Sequence, residues 1–139
     1  MNANRSIPPA PFQFKLDYQS GVPVYRQIID QVQGGIAAGS LLPGHQLPTV
    51  RQVAVDLAIN PNTVLRAYRE LEIRGVLDTE QGTGTFISHR KSAPDQSERQ
   101  RQLGQLVTEV VARAGSAGFT LQEVTEALLD RYPARGKRR

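Results

Sequence analysis

The sequence of 139 residues contains no cysteine and only two histidines, His45 and His89. Disulfides, thiolate metal sites and cysteine nucleophiles are therefore excluded, and two imidazoles are too few for most histidine metal sites. No apolar run approaches the ~18–20 residues of a membrane-spanning helix, and the N-terminal MNANRSIPPAPF lacks the apolar stretch of a secretory signal. These absences predict a small cytoplasmic protein that is not an enzyme and holds neither a cofactor nor a metal ion.

The net charge of +4 is unevenly distributed along the chain. Residues 1–89 carry seven cationic and seven anionic side chains, whereas residues 90–139 carry ten and six. Four of the last five residues are cationic, which is typical of a solvated end and only sometimes of a DNA anchor. Total charge therefore does not decide for a nucleic-acid partner, and the placement of individual arginines must do so.

The first part of the chain predicts a tail, an arm and a helix. Residues 1–11 are rich in Pro, Asn and Ser and are expected to be disordered. Phe12, Phe14 and Leu16 alternate with polar residues, which indicates a strand or an apolar arm that docks elsewhere. A helix is predicted to begin with Pro23 as its first residue and to end at Gly39. Its apolar stripe consists of Tyr25, Ile28, Ile29, Val32 and Ile36.

Two shorter helices are predicted next, separated by a turn at residues 58–62. The first covers residues 50–58, and Thr49 with Gln52 has the spacing of a capping box. The second covers residues 61–74, with Asn60 as its N-cap and Pro61 at its first position. Its apolar stripe consists of Val64, Ala67, Tyr68 and Leu71.

Residues 76–88 are rich in β-branched side chains around a Gln-Gly-Thr-Gly tip, which predicts a two-stranded hairpin. The order of helix, short helix, turn, helix and hairpin over residues 12–88 fits a winged helix-turn-helix. The predicted fold class is therefore mostly α with a small β wing. The glycine-rich tip is not a nucleotide-binding loop, because it has neither the strand–helix context nor the lysine of one.

The polar face of the second short helix carries the chemistry that points to DNA. Asn62, Arg66 and Arg69 project within about 60° of one another by the 3.6-residue period. Amides and guanidiniums bond base edges and phosphates, and a helix N-terminus offers backbone donors to a phosphate. A solvated helix face has similar residues, so this face alone does not decide. Arg51 opposes the dipole of its own helix, which argues against a local stabilising role.

The run from Pro23 to Ser88, with its Asn-Pro-Asn-Thr turn and its Ala-Tyr-Arg-Glu-Leu-Glu segment, resembles the DNA-binding domain of the GntR family of bacterial regulators, and of its YtrA subfamily in particular. The resemblance implies a homodimer that binds an inverted-repeat operator on double-stranded DNA, usually as a repressor. His45 and Thr49 stand where many members have Asp and Ser, and Leu65 stands where larger subfamilies often have Arg. Neighbouring Arg66 is the candidate substitute for that missing arginine.

The predicted DNA-binding residues combine the family's contact positions with the exposed polar face. The family positions are Arg51, Asn60, Asn62, Thr63, Gln81, Gly82 and Thr83. The helix-capping Thr49 and the two exposed arginines, Arg66 and Arg69, complete the set.

Residues 89–102 are polar and are predicted to be a linker or the start of a further helix. Residues 103–139 form two amphipathic helices, the second opened by a capping box at Thr120 and Glu123, and a basic tail. So short a region cannot build a core by itself, so the apolar stripes must cover either a second copy of the chain or the winged helix. The predicted dimerisation residues are Leu103, Leu106, Val107, Val110, Leu121, Val124 and Leu128.

Three functions compete at this point. A sequence-specific DNA-binding regulator is favoured over a winged helix that uses its arginines to bind an acidic protein, and an enzyme comes third. A pocket of ~300 Å³ does not fit within one copy of the C-terminal region. Any site for a small-molecule effector is therefore expected to lie between two subunits.

Overall fold

The computed structural model describes residues 11–89 and 95–133, which form two compact units, one from each range. The first unit contains α1 (Val24–Ala38), β1 (Gln46–Leu47), α2 (Val50–Leu57), α3 (Pro61–Ile73), β2 (Leu77–Glu80) and β3 (Gly84–Ile87). The second contains α4 (Gln96–Ser116) and α5 (Leu121–Arg131). The predicted disordered tail except Pro11, the basic tail at residues 135–139 and residues 90–94 of the predicted linker lie outside the described residues.

The core of the first unit is built from the predicted stripes of its helices. Ile28, Ile29 and Val32 of α1 are buried, and Val64 and Leu71 of α3 have no exposed surface. The β-sheet closes this core with Leu47, Leu77 and Ile87. Since α3 packs against α1, α2 and β2, its apolar face is fully covered and its polar face is left to solvent.

Residues 12–17 form an arm without strand structure, held against α1 by two glutamine side chains. The Gln31 carboxamide accepts from Lys15 N (2.9 Å) and donates to Lys15 O (2.6 Å). Gln27, four residues earlier, makes the same pair of bonds to Asp17 (2.9 and 3.0 Å). A Cβ at Gly35 would lie 2.9 Å from Leu41 Cδ1 and 3.1 Å from Phe12 Cε1, so glycine lets the arm lie close to the helix. The docked-arm alternative is therefore the correct one.

The ends of α1, α2 and α3 lie within one residue of the predictions, and the starts of α1 and α2 differ from them in detail. Helix α1 begins at Val24, so Pro23 is its N-cap and not its first residue. The Thr49 hydroxyl accepts from Gln52 N (3.0 Å), but the Gln52 side chain bonds Asp56 Oδ1 (2.8 Å), so only half of the predicted capping box exists. The Gln52 NH₂ group donates to this carboxylate one turn further along the helix, so the side chain extends away from the backbone N–H of Thr49.

The turn between α2 and α3 is tight. Ala58 caps α2 with a positive φ of 56°, and the next amide, Ile59 N, bonds back to Ala54 O (3.0 Å). A left-handed conformation costs a non-glycine residue about 1–2 kcal/mol. The residue with this conformation lies in the turn, just before the chain starts α3 at Pro61.

The β-sheet has three strands in the order β1–β3–β2, all antiparallel. The predicted two-stranded hairpin is present, with Leu77 opposite Ile87 and Glu80 opposite Gly84. Strand β1 was not predicted, because two residues within a loop carry no periodic signal. It pairs Gln46 with Phe86 and Leu47 with Thr85, so the loop before α2 is tied to the wing.

Helix α4 begins at Gln96, with Asp95 as its N-cap, so the second half of the predicted linker is helical. The capping box at Thr120 and Glu123 is complete in α5, with Glu123 N bonded to Thr120 Oγ1 (3.1 Å) and Thr120 N bonded to Glu123 Oε1 (2.9 Å). Neither helix has a buried residue. Of the predicted dimerisation residues Val124 is half-buried, and the other six are exposed in the single chain: Leu103, Leu106, Val107, Val110, Leu121 and Leu128.

Candidate nucleic-acid interface

The exposed face of α3 is the centre of the candidate interface. Asn62, Arg66 and Arg69 are all exposed and lie opposite the buried stripe of the same helix. The two carboxylates of α3 are bound elsewhere: Glu70 pairs with Arg74 (3.1 Å), and Glu72 accepts a hydrogen bond from Thr79 of β2. Neither is engaged with the two arginines of the exposed face, whose charge remains available for an anionic partner.

The first turn of α3 is fixed by Asn60, whose Oδ1 accepts from Asn62 N (2.8 Å). This bond uses the carboxamide oxygen of Asn60, so its amide group is what remains to donate to DNA. Asn62 is exposed, whereas Thr63 is half-buried. Asn60 is exposed as well, so both asparagines of this helix start are accessible to a partner.

A buried hydrogen bond connects α3 to the start of α2. The Tyr68 hydroxyl donates to Pro48 O (2.7 Å), directly before the N-cap Thr49. Burial raises the pKa of Tyr68, so its hydroxyl keeps the proton that it donates. This bond fixes the first turn of α2 on α3, and that turn carries the exposed Arg51. Tyr68 was predicted only as a core residue, since the apolar period does not show where a hydroxyl points.

The two arginines of α3 differ in their surroundings. The Arg66 guanidinium carbon lies 3.7 Å from the centre of the Tyr25 ring, a cation–π contact with the first turn of α1. Within residues 11–89 and 95–133, Arg69 and Arg51 have no ion pair or side-chain hydrogen bond. Sequence periodicity placed Arg66 and Arg69 together and gave no sign of this difference.

The wing presents an exposed tip at Gln81, Gly82 and Thr83. Thr83 N bonds Glu80 O (2.9 Å), and Gly82 has a φ of 80°, which favours glycine. The Gln46 side chain donates to Thr83 O (3.1 Å), and a Cβ at Gly84 would collide with the Gln46 amide. The wing tip is therefore braced by β1, a contact across 37 residues that the sequence did not reveal.

Two other features are absent from the described residues. Among them, no group of three or more His, Cys, Asp or Glu side chains is arranged to hold a metal ion. None of their helices is long and apolar enough to cross a membrane.

Comparison with known proteins finds similarity to bacterial transcription regulators. Residues 24–87 match the family model for bacterial regulatory proteins of the gntR family. The chain is 34% identical to the uncharacterized HTH-type transcriptional regulator YhcF of Bacillus subtilis (strain 168), over 80% of this chain and 91% of that protein. It is also 34% identical to the HTH-type transcriptional repressor YtrA of the same strain, over 81% of this chain and 86% of that protein.

A solved structure supports the fold over nearly the whole chain. The transcriptional antiterminator from Listeria monocytogenes EGD-e superposes with a TM-score of 0.65 at 27% identity, covering 90% of this chain and 92% of that one. The winged helix followed by a short helical region is therefore confirmed as the architecture. Taken with the family match and the two relatives, these findings show that the chain belongs to the GntR family of bacterial regulatory proteins and is a DNA-binding transcriptional regulator.

Proposed function

We propose that two copies of this chain bind an inverted-repeat operator and repress the genes beside it. The observation that carries the proposal is the exposed face of α3, where Asn62, Arg66 and Arg69 are free of the helix's own carboxylates. Amide and guanidinium groups on a helix of this size can reach base edges and phosphates in the major groove. Arg51 would reach a base or a phosphate beside α3, and the wing tip at Gln81, Gly82 and Thr83 would extend the contact along the DNA backbone.

The predicted division of the chain supports the dimer. Residues 12–88 would bind one half-site, and residues 103–139 would hold two copies together. Helices α4 and α5 expose a row of large apolar side chains, which a soluble chain keeps only where a partner covers them. The same two helices from a second copy would form a symmetric four-helix interface.

Repression follows from occupancy of the operator, and it agrees with the name of the repressor among the relatives. The proposal includes no catalytic step, and it places the protein in the cytoplasm, where a bacterial operator is found. A small-molecule effector, the remaining predicted partner, would bind between the two copies because one C-terminal unit is too short to enclose it.

The test is a selection of binding sites from a pool of random duplexes, using the full chain. We expect the selected sites to contain two inverted half-sites whose centres lie about one helical turn, ~10 base pairs, apart. Affinity for the selected operator should exceed that for a scrambled duplex by about 10³-fold or more. Both affinities should fall steeply as salt rises.

Recovery of no common sequence would contradict the proposal. Salt-sensitive binding to an acidic protein without preference among duplexes would favour the alternative, a winged helix used for protein contact. A single half-site in the selected pool, bound by a monomer, would preserve DNA recognition and reject the dimer.

A further inference from the structure

Helices α1 and α3 meet along a row of polar contacts that begins near the proposed DNA-binding face. At one end Arg66 lies over the Tyr25 ring, and at the other Arg74 Nη1 donates to Gln33 Oε1 (3.0 Å). Gln33 follows Tyr25 by eight residues, and Arg74 follows Arg66 by eight residues. The N-terminal ends of α1 and α3 therefore lie at the same end of this row of contacts. That end contains the first turn of α1 and the exposed face of α3.

The contact between Arg66 and Tyr25 restrains the arginine without using its donors. A guanidinium stacked on a ring keeps its five N–H groups in its own plane, pointing outward. Arg66 is exposed and Tyr25 is half-buried, so the ring is the fixed partner and the guanidinium is the group placed by it. A stacked arginine therefore loses less conformational freedom on binding an anion than an unrestrained one.

The position of Arg66 on α3 also matters. Arg66, Glu70 and Arg74 follow one another at four-residue steps, and Arg74 contacts α1. These three residues line the edge of the exposed α3 face that lies next to α1. A guanidinium held at that edge over a ring of a neighbouring helix is poorly placed to extend into the floor of a groove. It is well placed to meet the phosphates at the groove's rim.

We propose that Tyr25 is a positioning residue that holds Arg66 as a phosphate contact, so that Arg66 strengthens binding to every duplex and does not select bases. The proposal rests on the DNA-binding function proposed above. It sharpens the prediction, made from the sequence, that Arg66 substitutes for the arginine that Leu65 replaces, because it assigns Arg66 to phosphates. Base selection is then left to Asn62, Arg69 and Arg51.

The experiment measures affinities of full-length variants for the selected operator and for a scrambled duplex, at four salt concentrations. For Arg66→Ala we expect equal fold-losses on both duplexes and a salt slope flatter by about one unit per protomer. For Tyr25→Leu we expect a loss of about two- to fivefold per half-site, again on both duplexes, since an exposed cation–π contact is of that size. Tyr25→Phe keeps the ring and should bind as the unchanged protein does.

A double substitution separates positioning from general structure. If Tyr25 acts through Arg66, Tyr25→Leu should add nothing once Arg66→Ala is present. NMR supplies a readout without DNA: the Nε–H resonance of Arg66 should move in Tyr25→Leu and stay in place in Tyr25→Phe. Arg69 is the matched control, because it lies on the same face without a stacking ring, and Tyr25→Leu should leave its resonance unchanged.

Arg66→Lys keeps the proposal testable if Tyr25→Leu lowers the thermal midpoint, because it changes only an exposed side chain. Lysine keeps the charge and loses the flat stacked group. The variant should therefore show the same loss of about two- to fivefold on both duplexes, which is the strength of the stacking contact. Three results would overturn the inference: unchanged binding by Tyr25→Leu, losses that add in full in the double variant, or a changed preference at one operator base pair for Arg66→Ala. Failure of the unchanged protein to select any duplex would instead overturn the proposed function.

Discussion

Helices α3 and α4 are both amphipathic, yet their apolar stripes are in opposite situations. In α3 the side chains of Val64, Ala67 and Leu71 are completely buried, because α1, α2 and β2 surround them. In α4 the side chains of Leu103 and Leu106 are both 55% exposed. Within its own unit, α4 has only α5 to pack against.

The difference shows that one pattern of sequence can serve two purposes. The stripe on α3 stabilises the fold of its own chain, whereas the stripe on α4 is exposed and would be covered by a second copy in the proposed dimer. Two short helices leave most of their apolar surface in water, and a core of this size is seldom stable alone. We therefore expect the two units to respond differently to substitution and to protein concentration.

The largest expected effect is a loss of stability that is confined to the first unit. Leu71→Ala removes a completely buried side chain and should lower the free energy of unfolding by about 2–5 kcal/mol. The matched change, Leu128→Ala in α5, starts from a side chain that is 57% exposed and should cost the single chain little. Urea unfolding followed by circular dichroism at two protein concentrations measures both.

The expected pattern is a concentration-independent loss for Leu71→Ala and a concentration-dependent one for Leu128→Ala. Equal losses at both concentrations for Leu128→Ala would mean that its stripe is covered within the chain and not by a second copy.

The second prediction concerns assembly. Leu106→Asp places a charge in the exposed stripe of α4 and should convert a dimer to a monomer, with operator affinity falling about 10²- to 10⁴-fold as the linked second half-site is lost. Gln105→Asp is the control, since it adds the same charge one residue away, on the face of α4 opposite the apolar stripe. Light scattering and operator titration on both variants test it. A dimeric Leu106→Asp would place the dimer contact elsewhere.

The sequence predicted the parts of this molecule that depend on local spacing. The stripes of α1 and α3, the caps at Thr49, Asn60 and Thr120, and the polar face of α3 all follow from periods and turn residues. Contacts between distant residues were missed, since no local pattern encodes them. The contact of Tyr25 with Arg66, the bond from Tyr68 to Pro48 and the brace from Gln46 to the wing join residues 20 to 41 positions apart.

Half of a local motif can also be lost to a nearby competitor. The capping box at Thr49 and that at Thr120 have equivalent spacings, but only the second is complete. In α2, the Gln52 side chain extends toward Asp56 one turn further on, and so it does not reach back to the backbone N–H of Thr49. The difference lies in the residue four positions later, which the four-residue motif does not include.

The third prediction separates DNA contact from stability. Arg51→Ala should lower operator affinity by about 1–3 kcal/mol per half-site if the guanidinium contacts a base. The melting temperature should change little, because Arg51 is exposed. Arg74→Ala is the control: Arg74 is an exposed arginine at the other end of the contact between α1 and α3, and it pairs with Glu70 (3.1 Å). Equal operator affinities for the two variants would remove Arg51 from the interface.

The smallest expected effect compares the same cap in the two units. Thr49→Ala and Thr120→Ala each remove a hydroxyl that accepts from the third residue of its helix, at 3.0 and 3.1 Å. Each should lower the free energy of unfolding by about 1 kcal/mol, and Thr→Ser should restore most of it at either position.

In the first unit the loss should not depend on protein concentration, because α2 packs on α3 within the chain. In the second unit it should appear as weaker dimerisation, because in the proposed dimer the partner copy would stabilise α5. Thermal unfolding of both pairs over a hundredfold range of concentration, roughly the range needed to resolve the mass-action term, tests this. A Thr120→Ala loss that stays constant over that range would show that the helical unit is stable without a second copy.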